Sequence, residues 1–189
     1  MSAATHDFAE TWHYSGDDLL EAFLALETPE GFKAELIDGE IIVTPPPDTN
    51  HEIAIGRFVR QVFRNCAADL DFAPGIGLVV PGGRFIPDGT FIERGAMADR
   101  ESWSEPMGVL MVLEVTSSRP EKDREAKRKG YAAARIPLYL LVDRQRNELV
   151  LYGDPGAGDY ASALRVVLGA VLPLPEPFGF ALDTADLVG

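Results

Sequence analysis

VLMVLEVTSSRPEKDREAKRKGY, residues 109–131, is the stretch that decides the fold. Its apolar start, residues 109–113, has the length and β-branched content of a strand buried on both faces. Glu114 interrupts that run. Ser118, Pro120 and Glu121 then mark a helix start, with Ser118 as N-cap and Glu121 placed to close a capping box. A charged helix follows at once. At about 100° per residue, Asp123, Lys127 and Tyr131 fall within about 80° of one another, on the side of the small residues Ala126, Gly130 and Ala134. Small residues mark a face that packs closely, so an acid and a lysine are carried inward beside Glu114. A carboxylate on a buried strand is costly unless it is paired, hydrogen-bonded or metal-bound, so chemistry is expected here.

Upstream, Ser15 can cap a first helix, with Asp17 and Asp18 in its first turn and Leu19, Leu20, Phe23, Leu24 and Leu26 on an apolar side that ends at Thr28-Pro29 and Gly31. Residues 33–44 read as a β-hairpin, because Asp38-Gly39 suits the positive φ of a two-residue type I′ turn. That register puts Glu35, Ile37, Glu40 and Ile42 on one face. Three prolines, Pro45 to Pro47, force an extended exit, and Thr49 with Glu52 form a capping box for a second helix. Ile55, Val59, Val62 and Cys66 lie on one side of that helix, with Arg57, Arg60 and Arg64 on the other. His51 faces the apolar side, where a satisfied structural histidine is the simpler reading. A strand is expected over 72–80 and another over 84–93, the second broken by Pro87-Asp88-Gly89 into an edge, bulge or bend. The polar loop 94–108, with Trp103 and Pro106 folding back, is the segment expected to move most. Beyond the charged helix, residues 138–142 and 148–152 form a second hairpin, and 164–172 a last strand before a Pro-rich stretch and an acidic tail. The sum is a mixed sheet with helices packed against it.

Across 189 residues with 46% apolar content, one domain with a sizeable core is expected. No apolar run reaches membrane-spanning length and the N-terminal stretch lacks the features of a signal peptide, so a soluble, cytoplasmic protein is expected. Lone Cys66 excludes an intramolecular disulfide and cysteine ligation of zinc. A net charge of −13 argues against indiscriminate binding to phosphates. Yet 7 of the 17 basic residues lie between Arg119 and Arg135, against three acids, which makes that segment locally +4 (seven minus three). This is either a positive potential beside the site or a solvated helix face laced with i,i+4 pairs.

An acid after proline on a bent strand, a second acid ending a buried strand and a lysine close behind form a recognisable set. Two converging carboxylates repel unless a proton or cation lies between them, and oxygen-only ligands favour Mg²⁺ or Mn²⁺. An ammonium nearby can orient a metal-bound water or stabilise a phosphoryl transition state. The simpler readings are an exposed or cross-strand-paired hairpin residue for Glu35, a weak surface i,i+4 pair for Asp123 and Lys127, and a packing role for Tyr131.

These pieces resemble the PD-(D/E)XK nuclease superfamily and, within it, the largely bacterial Uma-two family of restriction endonuclease-like proteins. The resemblance rests on ELIDGE (Glu35 to Glu40), the proline turn leading to His51, PDGTFIE (Pro87 to Glu93), LEVTS (Leu113 to Ser117), Asp123-x3-Lys127-x3-Tyr131 and IPLYLLVD (Ile136 to Asp143). It spans residues 11–183. It implies an α/β (α+β) restriction-endonuclease-like fold, a central mixed sheet flanked by helices with an N-terminal helix and hairpin, as a single domain over 1–189. It also implies Mg²⁺ (or Mn²⁺) held by Asp88 and Glu114, with Glu35 as a further acid, and hydrolysis of DNA. The superfamily lysine would fall at Thr116, which carries no charge, so the resemblance implies that Lys127 supplies it from the following helix. His51, Thr116, Asp123 and Tyr131 stand as supporting residues. Arg135 stands where relatives often have a small residue. The expected function is a metal-dependent endonuclease, acting alone or as a homodimer with one site for each strand. A silent binding module that kept the fold, or a hydrolase of a small phosphodiester, are the alternatives.

Overall fold

The computed structural model describes residues 16–116, 120–156 and 158–187. Helix α1 (Gly16–Leu24) precedes a hairpin of β1 (Lys33–Ile37) and β2 (Glu40–Thr44), and α2 (Thr49–Asn65) follows. Five short strands come next: β3 (Leu70–Ala73), β4 (Gly77–Val80), β5 (Gly83–Phe85), β6 (Gly89–Glu93) and β7 (Trp103–Ser104). Strand β8 (Val109–Val115) leads through a π-helical segment (Lys122–Lys127) and α3 (Arg128–Ala133) to β9 (Leu138–Asp143). The chain closes with β10 (Glu148–Pro155), β11 (Tyr160–Val167), β12 (Val171–Pro173), β13 (Ala181–Asp183) and a 3₁₀ turn (Thr184–Leu187).

Burial on both faces puts β8 inside a six-stranded mixed sheet of order β11-β10-β9-β8-β6-β3. Only β8 and β9 pair in parallel there, as the intervening helix requires of a crossover. One face receives Ile55, Phe58 and Val62 of α2 and the C-terminal Leu172, Phe178 and Leu182. The other receives Tyr131 and Ala132 of α3 and, from a second sheet of order β2-β1-β5-β4-β7, Ile37, Leu78 and Phe85. The strands expected in one sheet are therefore shared between these two and a small β12-β13 ribbon, and the N-terminal hairpin supplies two of the second sheet's five strands. Its turn is as expected, with Asp38 and Gly39 at φ 49° and 77° and Ile37 opposite Glu40.

Both strands expected over 72–80 and 84–93 are corrected to two short ones. The first divides at Pro74-Gly75 into β3 and β4, the second at Ile86-Pro87-Asp88 into β5 and β6, and in each case the halves join different sheets. Proline removes a ladder donor at each break, so the chain can change sheets where pairing is already interrupted. The last strand is likewise β11 and β12, parted by Leu168 to Ala170, and the tail returns as β13 instead of trailing off. Trp103 folds back as expected, packing on Phe23 at 5.4 Å between ring centroids. Leu24, which ends α1, and Leu26 beyond it are 57% and 41% exposed, so the apolar side narrows to buried Phe23 and half-buried Leu19 and Leu20. Asp48 caps α2 by accepting from the His51 N–H at 3.0 Å, which displaces the expected Thr49 cap by one residue. The proposed caps Ser15 and Ser118 lie outside the described residues.

Gly130 is the position where the small-residue face is indispensable. A Cβ there would lie 2.4 Å from Phe85 Cε2 and 3.1 Å from the Pro81 carbonyl oxygen. Phe85 is itself fully buried and cannot retreat. Gly130→Ala is expected to destabilise the fold by roughly 1–3 kcal/mol, the usual range for overpacking. Urea unfolding measures this, and an unchanged midpoint would contradict the packing described.

Helix α3 ends in a Schellman turn. Arg135 adopts φ 61°, its N–H donates to the Ala132 carbonyl, and the Ile136 N–H reaches Tyr131 O at 3.1 Å. That left-handed position is one where glycine is ordinarily at ease, which accounts physically for the small residue expected there.

Candidate active site

Period-two alternation along β1 turns Lys33 and Glu35 to one side, toward the end of β8 where Glu114 and Val115 stand. Asp88 arrives from the break between β5 and β6, and His51 from the first turn of α2. Lys127 comes from the π-helical segment. The wider winding of that segment still leaves Asp123, Ala126 and Lys127 buried, so the inward face expected from α-helical spacing survives the irregularity. These side chains line a cleft of about 520 Å³ whose outer wall includes Pro45 to Pro47.

Lys127 is the hub. Its Nζ lies 2.9 Å from Glu35 Oε1, 2.9 Å from Glu114 Oε1 and 3.8 Å from Asp123 Oδ1, with the lysine side chain only 5% exposed. The surface-pair reading of Asp123 and Lys127 is thereby excluded. Tyr131 is fully buried and its hydroxyl donates to Glu114 Oε1 at 2.5 Å. Glu35 Oε1 also accepts from the Ile86 N–H at 2.6 Å, which rules out an exposed hairpin residue.

Asp88 is held separately. Its Oδ2 accepts from the Val115 N–H at 2.9 Å and from His51 Nε2 at 3.0 Å, while Oδ1 accepts from Lys33 Nζ at 3.1 Å. His51 Nε2 also lies 3.1 Å from the Val115 carbonyl oxygen, so two acceptors face it and the ring proton sits on Nε2. His51 is buried, as its place on the helix implied, but it braces Asp88 and is no mere filler of the core. Thr116 Oγ1 accepts from the Arg144 N–H at 2.9 Å, joining the end of β8 to the turn after β9.

Lys33, Asp48, Lys122 and Arg144 are charged residues of the cleft that were not among the candidates read from the sequence, and Arg144 pairs with Asp48 at 2.8 Å. Lys33 was legible only in its two-residue spacing from Glu35. Lys122, at the mouth and paired with Glu40 at 2.8 Å, belongs to the basic run. That run is largely neutralised: Arg124 binds Asp143, Arg128 binds Asp159 and Lys129 binds Glu125. Of the two readings of the run, the ion-paired helix face fits the described residues better.

Burial raises the Glu114 carboxyl well above the ordinary glutamate range; Lys127 opposes this, and Asp88, Asp123 and Glu35 reinforce it. Asp123 is pushed up to about 6, by burial first and then by Asp88 and Glu35, against Lys127. Burial alone would lower Lys127, but Glu114, Glu35, Asp123 and Asp88 overcome it and keep the amine charged. Burial would likewise raise Asp88, yet the His51 hydrogen bond and the charge of Lys33 hold it well below the carboxylate range.

A pH dependence follows. Because native Asp123 binds its proton more tightly than an unfolded aspartate, its contribution is complete below about pH 4 and is lost as pH rises through about 6. Cation-free protein should lose on the order of 1 kcal/mol from this group between pH 5 and 7.5. Asp123→Asn should flatten that part of the profile in thermal unfolding, and an unchanged slope would contradict the assignment.

Four carboxylates, Glu35, Asp88, Glu114 and Asp123, thus share two ammonium groups and one imidazole. Oxygen donors and an excess of buried negative charge suit a hard divalent cation. Among the described residues, however, no three His, Cys, Asp or Glu side chains stand together ready to hold a metal ion. The physical reason is visible: lysine amines, with their own hydrogen bonds, separate the oxygens.

Comparison with known proteins places the chain. The family model Uma2, described as putative restriction endonuclease, matches residues 20–185. Among solved structures, a putative nuclease belonging to DUF820 from Anabaena variabilis superposes with a TM-score of 0.70. It is 16% identical in sequence, and the match covers 89% of this chain and 96% of that one, which shows a shared fold. No curated protein matches. No helix among the described residues is long and apolar enough to cross a membrane.

Proposed function

This chain belongs to the Uma2 family of putative restriction endonucleases, and from that membership and the cleft we propose a divalent-cation-dependent nuclease that hydrolyses DNA phosphodiester bonds. The observation that carries the proposal is the convergence of Asp88, Glu114 and Glu35 with Lys127 at the end of a buried strand. Asp88 and Glu114 would hold Mg²⁺ or Mn²⁺, with Glu35 as the third acid. When bound, such an ion lowers the pKa of a water and polarises a phosphoryl oxygen.

The chain's own residues do the rest. Tyr131 and Lys127 fix the Glu114 carboxylate from two directions, and the Val115 N–H and His51 fix Asp88. Preset donors of this kind cost no reorganisation during reaction. Lys127 keeps two carboxylates together against their repulsion and presents positive charge at the wall of the cleft.

The test is cleavage of plasmid and single-stranded DNA at low salt with Mn²⁺ or Mg²⁺, by wild type and Lys127→Ala, with Glu114→Gln as a second variant. Cation-dependent cutting that both substitutions abolish is expected. Equal cutting by all three would sink the roles given to these residues.

The deep burial of Glu114 and Lys127, 2% and 4% exposed, supports a second reading, hydrolysis of a small phosphodiester. A chromogenic phosphodiester in the same assay separates the two. Cutting of the small ester without cutting of DNA selects the second.

A further inference from the structure

Lys33 and Lys127 neutralise the same acidic cleft but are placed very differently. Lys127 is enclosed, with carboxylates at 2.9, 2.9 and 3.8 Å, and its side chain is 5% exposed. Lys33 stands at the mouth, 31% exposed, and among the described residues it pairs with Asp88 Oδ1 at 3.1 Å. The other Asp88 oxygen is already occupied by the Val115 N–H and His51. The oxygen that Lys33 covers is therefore the one left to receive a cation.

We propose that Lys33 is a displaceable counter-ion of the site: it holds Asp88 Oδ1 until a divalent cation takes that oxygen, then offers its ammonium to a phosphate oxygen of the substrate. The proposal rests on the reading of this cleft as a cation-dependent phosphodiesterase site. Three observations carry it. A lysine at the start of β1, on a flexible four-carbon stem and nearly one-third exposed, can swing away without opening the core. Lys127 cannot, since its departure would leave Glu35 and Glu114 buried without their shared partner. Lys33 also lines the cleft together with Pro45 to Pro47, and its partial exposure leaves its ammonium within reach of solvent.

A positive charge about 3 Å from the vacated oxygen must repel an incoming cation, so its removal should strengthen cation binding. A residue that served only the fold would not have that effect. Titration calorimetry of the full chain with Mn²⁺ reads this directly, using wild type, Lys33→Met, Lys33→Arg and Asp88→Asn. Lys33→Met should bind Mn²⁺ about tenfold more tightly, a change within what one nearby unit charge supplies in a partly solvated site. The same variant should raise the KM for a single-stranded oligonucleotide, and again about tenfold is expected. Lys33→Arg keeps the charge and should stay close to wild type in Mn²⁺ affinity.

Unchanged or weaker Mn²⁺ binding by Lys33→Met, with wild type binding and Asp88→Asn not, overturns the role of Lys33 and leaves the nuclease reading intact. Tighter binding by Lys33→Arg as well as Lys33→Met would make the effect steric and overturn it too. No Mn²⁺ binding by wild type sinks both this inference and the reading beneath it.

Discussion

Lys127→Met should destabilise the protein by about 3–5 kcal/mol at pH 7.5, the range for removing one member of a buried ion pair. Methionine keeps much of the apolar stem, so the loss isolates the charge. Glu35 Oε1 and Glu114 Oε1, each 2.9 Å from the amine, would face one another with no cation between them. Their remaining donors, the Ile86 N–H and the Tyr131 hydroxyl, are single hydrogen bonds and do not cancel a like-charge contact. Glu114, already raised by burial, loses the charge that opposes the rise, so the sign of the pH dependence is fixed. Without Lys127 it binds its proton still more tightly than it does in the unfolded chain, so the deficit should shrink at pH 5 and grow toward pH 8. Urea unfolding of both proteins at pH 5 and 7.5 tests this. A deficit below about 1 kcal/mol at pH 7.5 would place Lys127 among ordinary surface pairs and overturn its role as hub.

Asp88→Asn should cost cleavage by about 100- to 1000-fold or more, as when a preset electrostatic element of a transition state is removed. The substitution is nearly isosteric, and its consequences are specific. The amide oxygen can still accept from the Val115 N–H, which now stands 2.9 Å from Asp88 Oδ2, but the NH₂ group would then meet the Lys33 amine, donor against donor. The same amide oxygen can still accept from His51, but His51 would lose the neighbouring charge that helps hold its pKa above the ordinary histidine value, and burial, which acts the other way, would remain. His51 should therefore titrate at lower pH in the variant, a shift that NMR of the imidazole reads independently of any cleavage assay. Cleavage and Mn²⁺ binding at wild-type levels in a folded Asp88→Asn protein would remove Asp88 from the proposed site.

The sequence by itself determined those features that depend on local periodicity and turn chemistry. Residues 109–115 form the buried strand, Asp38-Gly39 sets the register of the hairpin, and the 138–142 and 148–152 runs form the second hairpin. The inward face of Asp123, Lys127 and Tyr131 was legible from spacing alone, because an α-helical or π-helical winding returns every fourth residue to nearly the same side. Glu114 was legible because one charge in a run of apolar residues must be compensated somewhere.

Only the tertiary structure decided what compensates it and which residues join it. Lys33 meets Asp88 across 55 residues, and His51 meets Asp88 across 37. Periodicity tells which face a side chain takes, never which distant face it meets. The same limit explains the divided strands. Three to five residues on either side of a proline satisfy one strand pattern as well as two, and pairing with different sheets is decided by partners that lie far along the chain. The basic run likewise left two readings open, free positive potential or an ion-paired face, until Asp143 and Asp159, contributed from beyond the helix, were brought against Arg124 and Arg128. Charge is written in the sequence, but whether it stays available to a phosphate is settled by the acids that the fold places beside it.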